Sequence, residues 1–190
     1  MELETSTCDG MIFEETKLKG AFIIKIKQLT DDRGFFGRSW CKKEMEEHGL
    51  NGNVVQSNTS RSNYRGTIRG MHFQKSPHEE TKLIRCTRGA IYDVIVDLRK
   101  DSPTYLQWIG VELTENNYTM LYVPEKFAHG FVTLQDQSEV TYLVTEYYTP
   151  GAEAGLRFND PALGIVWPEE VRFVSDKDKN HPDFNESILP

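Results

Sequence analysis

The densest group of side chains able to do chemistry is the run RGMHFQ at residues 69–74, where Arg69 and His72 lie three positions apart. Histidine changes charge near neutral pH, so His72 could take up and return a proton. An arginine offers a fork of donors that suits a phosphate. In a regular strand the two side chains would face opposite sides, so a shared cavity requires a bulge or twist near Gly70. Alternatively, His72 is only a structural hydrogen-bonding residue.

Four further side chains have an ordinary structural interpretation when the sequence is taken alone. Lys82 could be an edge-strand charge that blocks aggregation. His129, in the run FAHGF, could hold the shape of a site. Tyr142 suits an ordinary strand aromatic. Asp178 lies in SDKDKN, which by itself is typical of a solvated charged turn.

The elements that must position these side chains are predicted to be strands. Eight short runs are rich in Ile, Val, Tyr, Phe and Thr and are separated by turn sequences such as Pro150-Gly151. Residues 91–98 alternate apolar side chains with Asp93 and Asp97, the pattern of a strand with two different faces. Strands of this number and spacing predict an all-β jelly-roll sandwich or barrel. The predicted strands are residues 21–28, 67–74, 82–87, 91–98, 107–113, 119–123, 130–134 and 140–147.

Helix is scarce in the sequence. Residues 41–49 predict one short surface helix that ends at Gly49, and the chain from about residue 160 predicts short helical turns and a tail. No internal repeat, low-complexity tract or linker divides the chain. The sequence therefore predicts a single domain over residues 1–190, a length sufficient to bury one core.

The composition narrows the classes of partner. The 190 residues carry a formal net charge of −7 and no basic run, which argues against nucleic acid, and an anionic substrate would need a local cluster of Arg and Lys. No stretch reaches the roughly 18 apolar residues of a membrane helix, and no secretory signal is expected at the N-terminus. Cys8, Cys41 and Cys86 are widely spaced and are expected to be free thiols, which favours a reducing cytoplasm.

An ordered series of motifs resembles the dTDP-4-dehydrorhamnose 3,5-epimerase family, which belongs to the cupins. The resemblance covers nearly the whole chain, from roughly residue 12 to residue 182. Any one of the motifs would be weak evidence, but their order along the chain is specific. They are DDRGFF (31–36), QSNTS (56–60), RGMHFQ (69–74), KL (82–83), DVIVDLR (93–99), SPT (102–104), FAHGF (127–131), Tyr142, NDP (159–161), WP (167–168) and SDKD (175–178).

The resemblance implies a role for each candidate catalytic residue. His72 would be the base that removes a proton next to the sugar ketone, and Asp178 would hold its tautomer and support the imidazolium. Tyr142 would be the acid on the opposite face of the sugar ring. Lys82 would lie near O4 of the sugar, where negative charge develops in the enolate.

The resemblance also implies a set of substrate-binding residues. Arg33 and Arg69 match the family's substrate-binding arginines, which suit a diphosphate, although Arg33 could instead cap a turn. Gln56 and Asn58 would be their hydrogen-bonding neighbours. His129 is expected to line the sugar pocket.

Arg38 departs from the family pattern, which usually has a glutamate tied to contacts with the thymidine end of the substrate. A carboxylate only accepts hydrogen bonds, whereas a guanidinium only donates them. Any contact of Arg38 with the nucleobase must therefore differ, which keeps GDP- and CDP-linked sugars open beside dTDP. Alternatively, Arg38 points to solvent or to a phosphate.

The metal-binding pattern of many cupins is incomplete here. The usual His-x-His element corresponds to His72 and Gln74, and glutamine is a poor transition-metal ligand. His129 in the later position does not complete the familiar site. The sequence therefore predicts no catalytic metal and no cofactor.

The sequence predicts a metal-independent epimerase of a nucleotide-diphospho-4-keto-6-deoxy sugar in deoxysugar biosynthesis. Inversion at C3 and C5, or at C3 alone, would fit the same catalytic residues, and a heptose is a further candidate sugar. A non-catalytic sugar-nucleotide-binding cupin and a metal-dependent cupin oxygenase are the alternatives of other classes. Proteins of this family are homodimers, so a homodimer is expected, in which residues 1–20 could pair with the partner's sheet.

Overall fold

The computed structural model describes residues 10–188, and its regular structure is mostly β. The two helices, α1 (Lys42–Glu47) and α2 (Asp176–Lys179), are short, and a 3-10 turn covers Glu186–Ile188. The strands are β1 (Ile12–Glu15), β2 (Phe22–Lys25), β3 (Leu29–Asp31), β4 (Gly34–Phe36), β5 (Gln56–Ser62), β6 (Ile68–Gln74), β7 (Lys82–Arg88), β8 (Ala90–Asp97), β9 (Trp108–Thr114), β10 (Thr119–Val123), β11 (Phe127–Thr133), β12 (Ser138–Val144) and β13 (Glu153–Gly155).

The strands form two antiparallel sheets. One has six strands in the order β1-β2-β10-β7-β12-β5, and the other has five in the order β13-β6-β11-β8-β9. Strands β3 and β4 make a separate hairpin. The predicted all-β class is therefore confirmed.

The main core lies between the two sheets. It joins Ile84 and Val140 of the six-stranded sheet to Ile91, Ile95 and Phe131 of the five-stranded sheet. Burial of each such side chain stabilises the fold by about 1.5–3 kcal/mol. A second cluster packs α1 against the outside of the six-stranded sheet, and a third packs the chain after β13 against the outside of the five-stranded sheet.

Strand β8 has the two predicted faces, but both are covered. Val94 and Val96 belong to the outer cluster, whereas Asp93 and Asp97 on the other face have no exposed surface. A buried carboxylate needs compensating hydrogen bonds. Asp97 accepts them from Arg99 and from two hydroxyl groups, those of Ser102 and Thr104. Asp93 finds its partner at the candidate site described below.

All eight predicted strands are present, with ends shifted by a few residues. The predicted helix at 41–49 is α1, and Gly49 follows it with a φ of +72°. Cys41 and Cys86 are free thiols, whereas Cys8 lies outside the described residues. Within residues 10–188, no helix is long and apolar enough to cross a membrane.

Candidate active site

An open cavity of about 660 Å³ lies between the two sheets. Strands β6 and β11 form one wall, β7 and β12 form the opposite wall, and the chain around α2 closes one side. A smaller pocket of about 250 Å³ shares His72, Lys82 and Tyr142 with it, so the two are parts of one cleft.

His72 and Asp178 form a hydrogen-bonded pair on the β6 wall. Nε2 of His72 lies 2.7 Å from Oδ1 of Asp178, and Oδ2 of Asp178 accepts the backbone N–H of Gly70 at 3.2 Å. Burial acts to raise the pKa of Asp178, but the contacts with His72 and Gly70 outweigh it and hold this pKa below its ordinary value. The imidazole remains partly exposed to the cavity, while the carboxylate is buried.

The pair is assembled by a bulge and a cap. The pairing of β6 with β11 shifts register between His129 and Phe131, which lets Arg69 and His72 line the same cavity. The expected irregularity near Gly70 is therefore confirmed. A Cβ at Gly70 would lie 2.6 Å from the Cα of Gly130, so only glycine permits this approach. On the other side, the Ser175 hydroxyl caps α2 by accepting the backbone N–H of Asp178 at 3.1 Å.

Tyr142 and Lys82 face the cavity from the opposite sheet. Burial raises the pKa of Tyr142, and the nearby carboxylate of Glu80 raises it further, so the phenol keeps its proton at neutral pH. Nζ of Lys82 lies 2.9 Å from Oε1 of Glu80, and both side chains are mostly buried. The ammonium group is thus fixed in the cleft beside the phenol.

His129 lies next to His72 and has its own carboxylate. The two histidines are paired across β6 and β11, and Nε2 of His129 lies 2.7 Å from Oδ1 of Asp93. Both side chains of this second pair are buried, yet His129 still lines the cavity. That the part of the cavity beside His129 holds the sugar stays a prediction.

The cavity is basic although the chain is acidic. Five cationic side chains line it beside the single carboxylate of Asp178: Arg69, Lys82, Arg172, Lys177 and Lys179. Arg69 is held by hydrogen bonds from Nε to the Ser62 hydroxyl at 3.0 Å and from Nη2 to the Arg61 carbonyl at 3.1 Å. This is the local cluster that an anionic substrate would require.

The remaining predicted substrate-binding residues divide into two groups. Gln56 and Asn58 point from β5 into the smaller part of the cleft. Arg33 and Arg38 do not line the cleft of this chain. Arg33 lies in the β3–β4 turn, where its guanidinium is 2.6 Å from Asp31 and highly exposed, as the turn interpretation expected. Nη1 of Arg38 lies 2.6 Å from Oε1 of Glu44, which ties the chain before α1 to that helix.

Sequence reasoning assigned no role to three of the titratable groups here, Glu80, Asp93 and His181. Oδ1 of Asp178 lies 3.5 Å from Nε2 of His181, so the predicted pair is in fact a cluster of three. An Asp inside an apolar strand was a usable signal for Asp93, because such a residue needs a buried partner. Glu80 and His181 lie in polar segments and gave no signal.

Comparison with known proteins identifies the relatives of this fold. A family profile described as dTDP-4-dehydrorhamnose 3,5-epimerase matches residues 15–186. An enzyme of that name from Sinorhizobium fredii is 41% identical over 183 residues, which cover 94% of this chain and 92% of the relative. A crystal structure of dTDP-4-dehydrorhamnose 3,5-epimerase from Bacillus anthracis with TDP and PPi bound is 47% identical with a TM-score of 0.89, covering 92% of this chain and 100% of that one.

A more distant structure is that of ChmJ, a 3'-monoepimerase from Streptomyces bikiniensis in complex with dTDP-quinovose. It is 31% identical with a TM-score of 0.81, and the match covers 88% of this chain and 85% of that one. The fold and cleft are thus those of a cupin-type nucleotide-sugar epimerase. The chain belongs to the dTDP-4-dehydrorhamnose 3,5-epimerase family, which confirms the predicted jelly roll and the predicted enzyme class.

Proposed function

We propose that this protein epimerises a dTDP-4-keto-6-deoxy sugar through an enolate, with His72 as base and Tyr142 as acid. The proposal rests mainly on the observation that these two side chains face one cavity from opposite sheets. A sugar ring lying between the sheets would present one face to the imidazole and the other to the phenol. Removal of a proton on one face and its return on the other inverts the carbon.

The first step is removal of the proton on the carbon next to the C4 ketone. With Nε2 of His72 bonded to Asp178, Nδ1 is left to accept this proton, and the Asp178 carboxylate stabilises the resulting imidazolium. The electron pair of the C–H bond moves into the enolate, whose charge develops on O4. The ammonium group of Lys82 would stabilise that oxygen.

The second step returns a proton from the Tyr142 phenol to the opposite face, and the C4 ketone forms again. His72 then holds one proton too many and Tyr142 one too few, so both must exchange with solvent before the next inversion. The partly exposed imidazole permits this exchange. Each inversion should therefore place a solvent-derived hydrogen on the sugar.

The nucleotide is proposed to be dTDP, with GDP- and CDP-linked sugars, a heptose included, as the alternatives. Its diphosphate would lie on the basic side chains of the cavity, of which Arg69 is the best anchored. The pairing of Arg38 with Glu44 gives that arginine a structural role, so its departure from the family pattern carries less weight against dTDP. The relative from Bacillus anthracis was solved with TDP bound, which supports the choice.

Inversion at both C3 and C5 is the proposed outcome, and inversion at C3 alone is the second candidate. The first follows the name of the family and of its 41% identical member. The second is favoured by the likeness to the 3'-monoepimerase ChmJ, since a single fold accommodates both.

Incubation with dTDP-, GDP- and CDP-4-keto-6-deoxyhexoses in D₂O, followed by NMR, tests the function. Deuterium at C3 and C5 of the dTDP sugar is expected, and deuterium at C3 alone would make the protein a 3-epimerase. The His72→Asn variant serves as the control for uncatalysed exchange. Binding of a sugar nucleotide with no exchange would favour the non-catalytic alternative, and exchange only with another nucleotide would correct the choice of base.

We also propose a homodimer in a reducing cytoplasm. The β3–β4 hairpin exposes Leu29, Phe35 and Phe36, an apolar surface that a second copy would cover. Arg33 lies on the same hairpin, so it would contact a sugar nucleotide only in the cleft of that second copy. Sedimentation of the wild type and of Phe36→Ser tests the dimer, since a monomeric wild type would contradict it.

The free thiols of Cys41 and Cys86 support the proposed reducing cytoplasm.

A further inference from the structure

The pair formed by His72 and Asp178 has a third member for which the reaction has no use. Nε2 of His181 lies 3.5 Å from Oδ1 of Asp178, and one ligand atom from each of the three residues lies within 4.8 Å of the others. Two imidazoles and a carboxylate are the ligands of many transition-metal sites, in which the remaining positions stay open to water or substrate.

His181 is held in this position by packing. Its ring lies against Gly155, where a Cβ would approach Nε2 to 2.4 Å. Nε2 is buried and has no hydrogen-bond partner among the described residues. A buried nitrogen without a partner is costly, so the atom is poised for a ligand. Lys177, which lines the same cavity, is bonded to Glu153 at 2.5 Å, and this contact reduces its repulsion of a bound ion.

We propose that His72, Asp178 and His181 form a binding site for a divalent first-row transition-metal ion such as Zn²⁺. The ligand atoms would be Nε2 of each histidine and Oδ1 of Asp178, with a fourth position open to the cavity. The site differs from the His-x-His site of other cupins, because it uses the C-terminal segment in place of Gln74 and His129.

Metal binding requires a small opening of the pair and a change of tautomer at His72. Ligand atoms about 2.0–2.1 Å from a tetrahedral ion lie about 3.3 Å apart, so His72 and Asp178 must separate by about 0.6 Å from their 2.7 Å contact. The proton on Nε2 of His72 leaves to solvent, because both Nε2 and Oδ1 then donate lone pairs to the ion. Nδ1 takes up one proton from solvent in exchange, so the imidazole stays neutral.

The bound ion would turn off the proposed reaction. A neutral imidazole carries one proton, and with Nε2 on the metal that proton must sit on Nδ1. Nδ1 of His72 then has no lone pair to accept a proton from the sugar. This inhibitory effect rests on the proposed function, whereas metal binding itself does not.

Direct binding to the full chain without a histidine tag tests the site. Calorimetry with Zn²⁺ and the visible absorption of Co²⁺ should give one ion per chain for the wild type. His181→Asn should weaken Zn²⁺ binding by at least about 100-fold, since loss of a ligand exceeds the cost of losing an outer contact. The matched control is His48→Gln, because His48 is an exposed histidine outside the cluster and its replacement should leave the affinity unchanged.

A second measurement needs no variant and covers the case in which His181→Asn fails to fold. Imidazole NMR signals of His72 and His181 should both move on addition of Zn²⁺, while those of His48 and His78 stay in place. No stoichiometric binding by the wild type, or equal binding by a folded His181→Asn, overturns the site. Zn²⁺ binding by a protein that fails the deuterium test would overturn the proposed function and leave the metal site standing.

Discussion

The pairs His72–Asp178 and His129–Asp93 are joined through the same atoms at the same 2.7 Å distance, and their histidines are neighbours across β6 and β11. They differ in surroundings. The His72 side chain is 31% exposed, whereas that of His129 is 11% exposed. Asp178 comes from a short helix near the end of the chain, and Asp93 from a central strand. The hydrogen bond alone therefore does not distinguish His72, the proposed base, from His129; access to the cavity does.

The two carboxylates also differ in how they are satisfied. Both oxygens of Asp178 have partners, and one of them contacts a second histidine. Oδ2 of Asp93 is buried without a partner among the described residues. We therefore expect the first pair to govern turnover and the second pair to govern the shape and stability of the cleft wall.

The largest expected effect separates the two histidines. His72→Asn should lower kcat by about 1,000-fold or more and abolish deuterium exchange at both carbons, because it removes the proposed base. His129→Asn should lower kcat/KM by about 10- to 100-fold and retain exchange. Equal losses in the two variants, measured by NMR in D₂O, would break the distinction.

The two carboxylates should affect different properties, with the larger loss of turnover at Asp178 and the larger loss of unfolding free energy at Asp93. Asp178→Asn should reduce turnover by about 100-fold or more through loss of the fixed tautomer. Asp93→Asn should cost about 1–3 kcal/mol of unfolding free energy, because it disturbs a buried hydrogen bond. Urea denaturation beside kinetics checks both, and a large stability loss confined to Asp178→Asn would reverse the assignment.

Tyr142→Phe tests whether the pair of His72 and Asp178 still removes a proton when the proposed acid is missing. Deprotonation by His72 should continue, so exchange at C3 should fall by no more than about 10-fold, while net inversion falls by about 100-fold. The ratio of exchange to inversion, followed by NMR, is the readout. Inversion at the wild-type rate would show that another group delivers the proton.

The smallest expected effect is on the stability of the fold at low pH. The pKa of the Asp178 carboxyl lies below its ordinary value, so the ionised group stabilises the fold above the unfolded pKa, and this stability disappears as the pH falls through the folded one. Between roughly pH 5 and pH 3 the wild type should therefore lose more unfolding free energy than Asp178→Asn. Parallel losses in the two proteins, measured by urea denaturation at each pH, would contradict the shift.

The sequence predicted the apolar strands because their periodicity reflects the core. Strand β5 was missed because its inward side chains, among them Gln56 and Asn58, face the cleft instead of the core and are polar. The short strands β1, β3, β4 and β13 carry too few residues to show a period.

Residues of the candidate site that lie in family motifs could be predicted from the sequence. Residues that reach the site through contacts between segments far apart in the chain were harder to predict. His72, Lys82, Tyr142 and Asp178 were all named, and the structure brings them to one cleft. The contact of His181 with Asp178 depends on how the C-terminal segment packs, which no local pattern encodes. Arg33 matches a family motif and Arg38 departs from one. Both lie away from the cleft of their own chain, and their contact with substrate stays a prediction.

His72 and Tyr142 lie on different sheets, so the distance between the sheets sets the distance between these two side chains. That distance bears on which carbons of the sugar they can reach. Ile84, Phe131 and Val140 lie in the core that spaces the sheets and also border the cavity. A change of one methylene there would alter the gap between the proposed acid and the proposed base while leaving both side chains intact. Substitutions in the core could therefore change which carbons of the sugar are inverted, while the proposed catalytic residues stay the same.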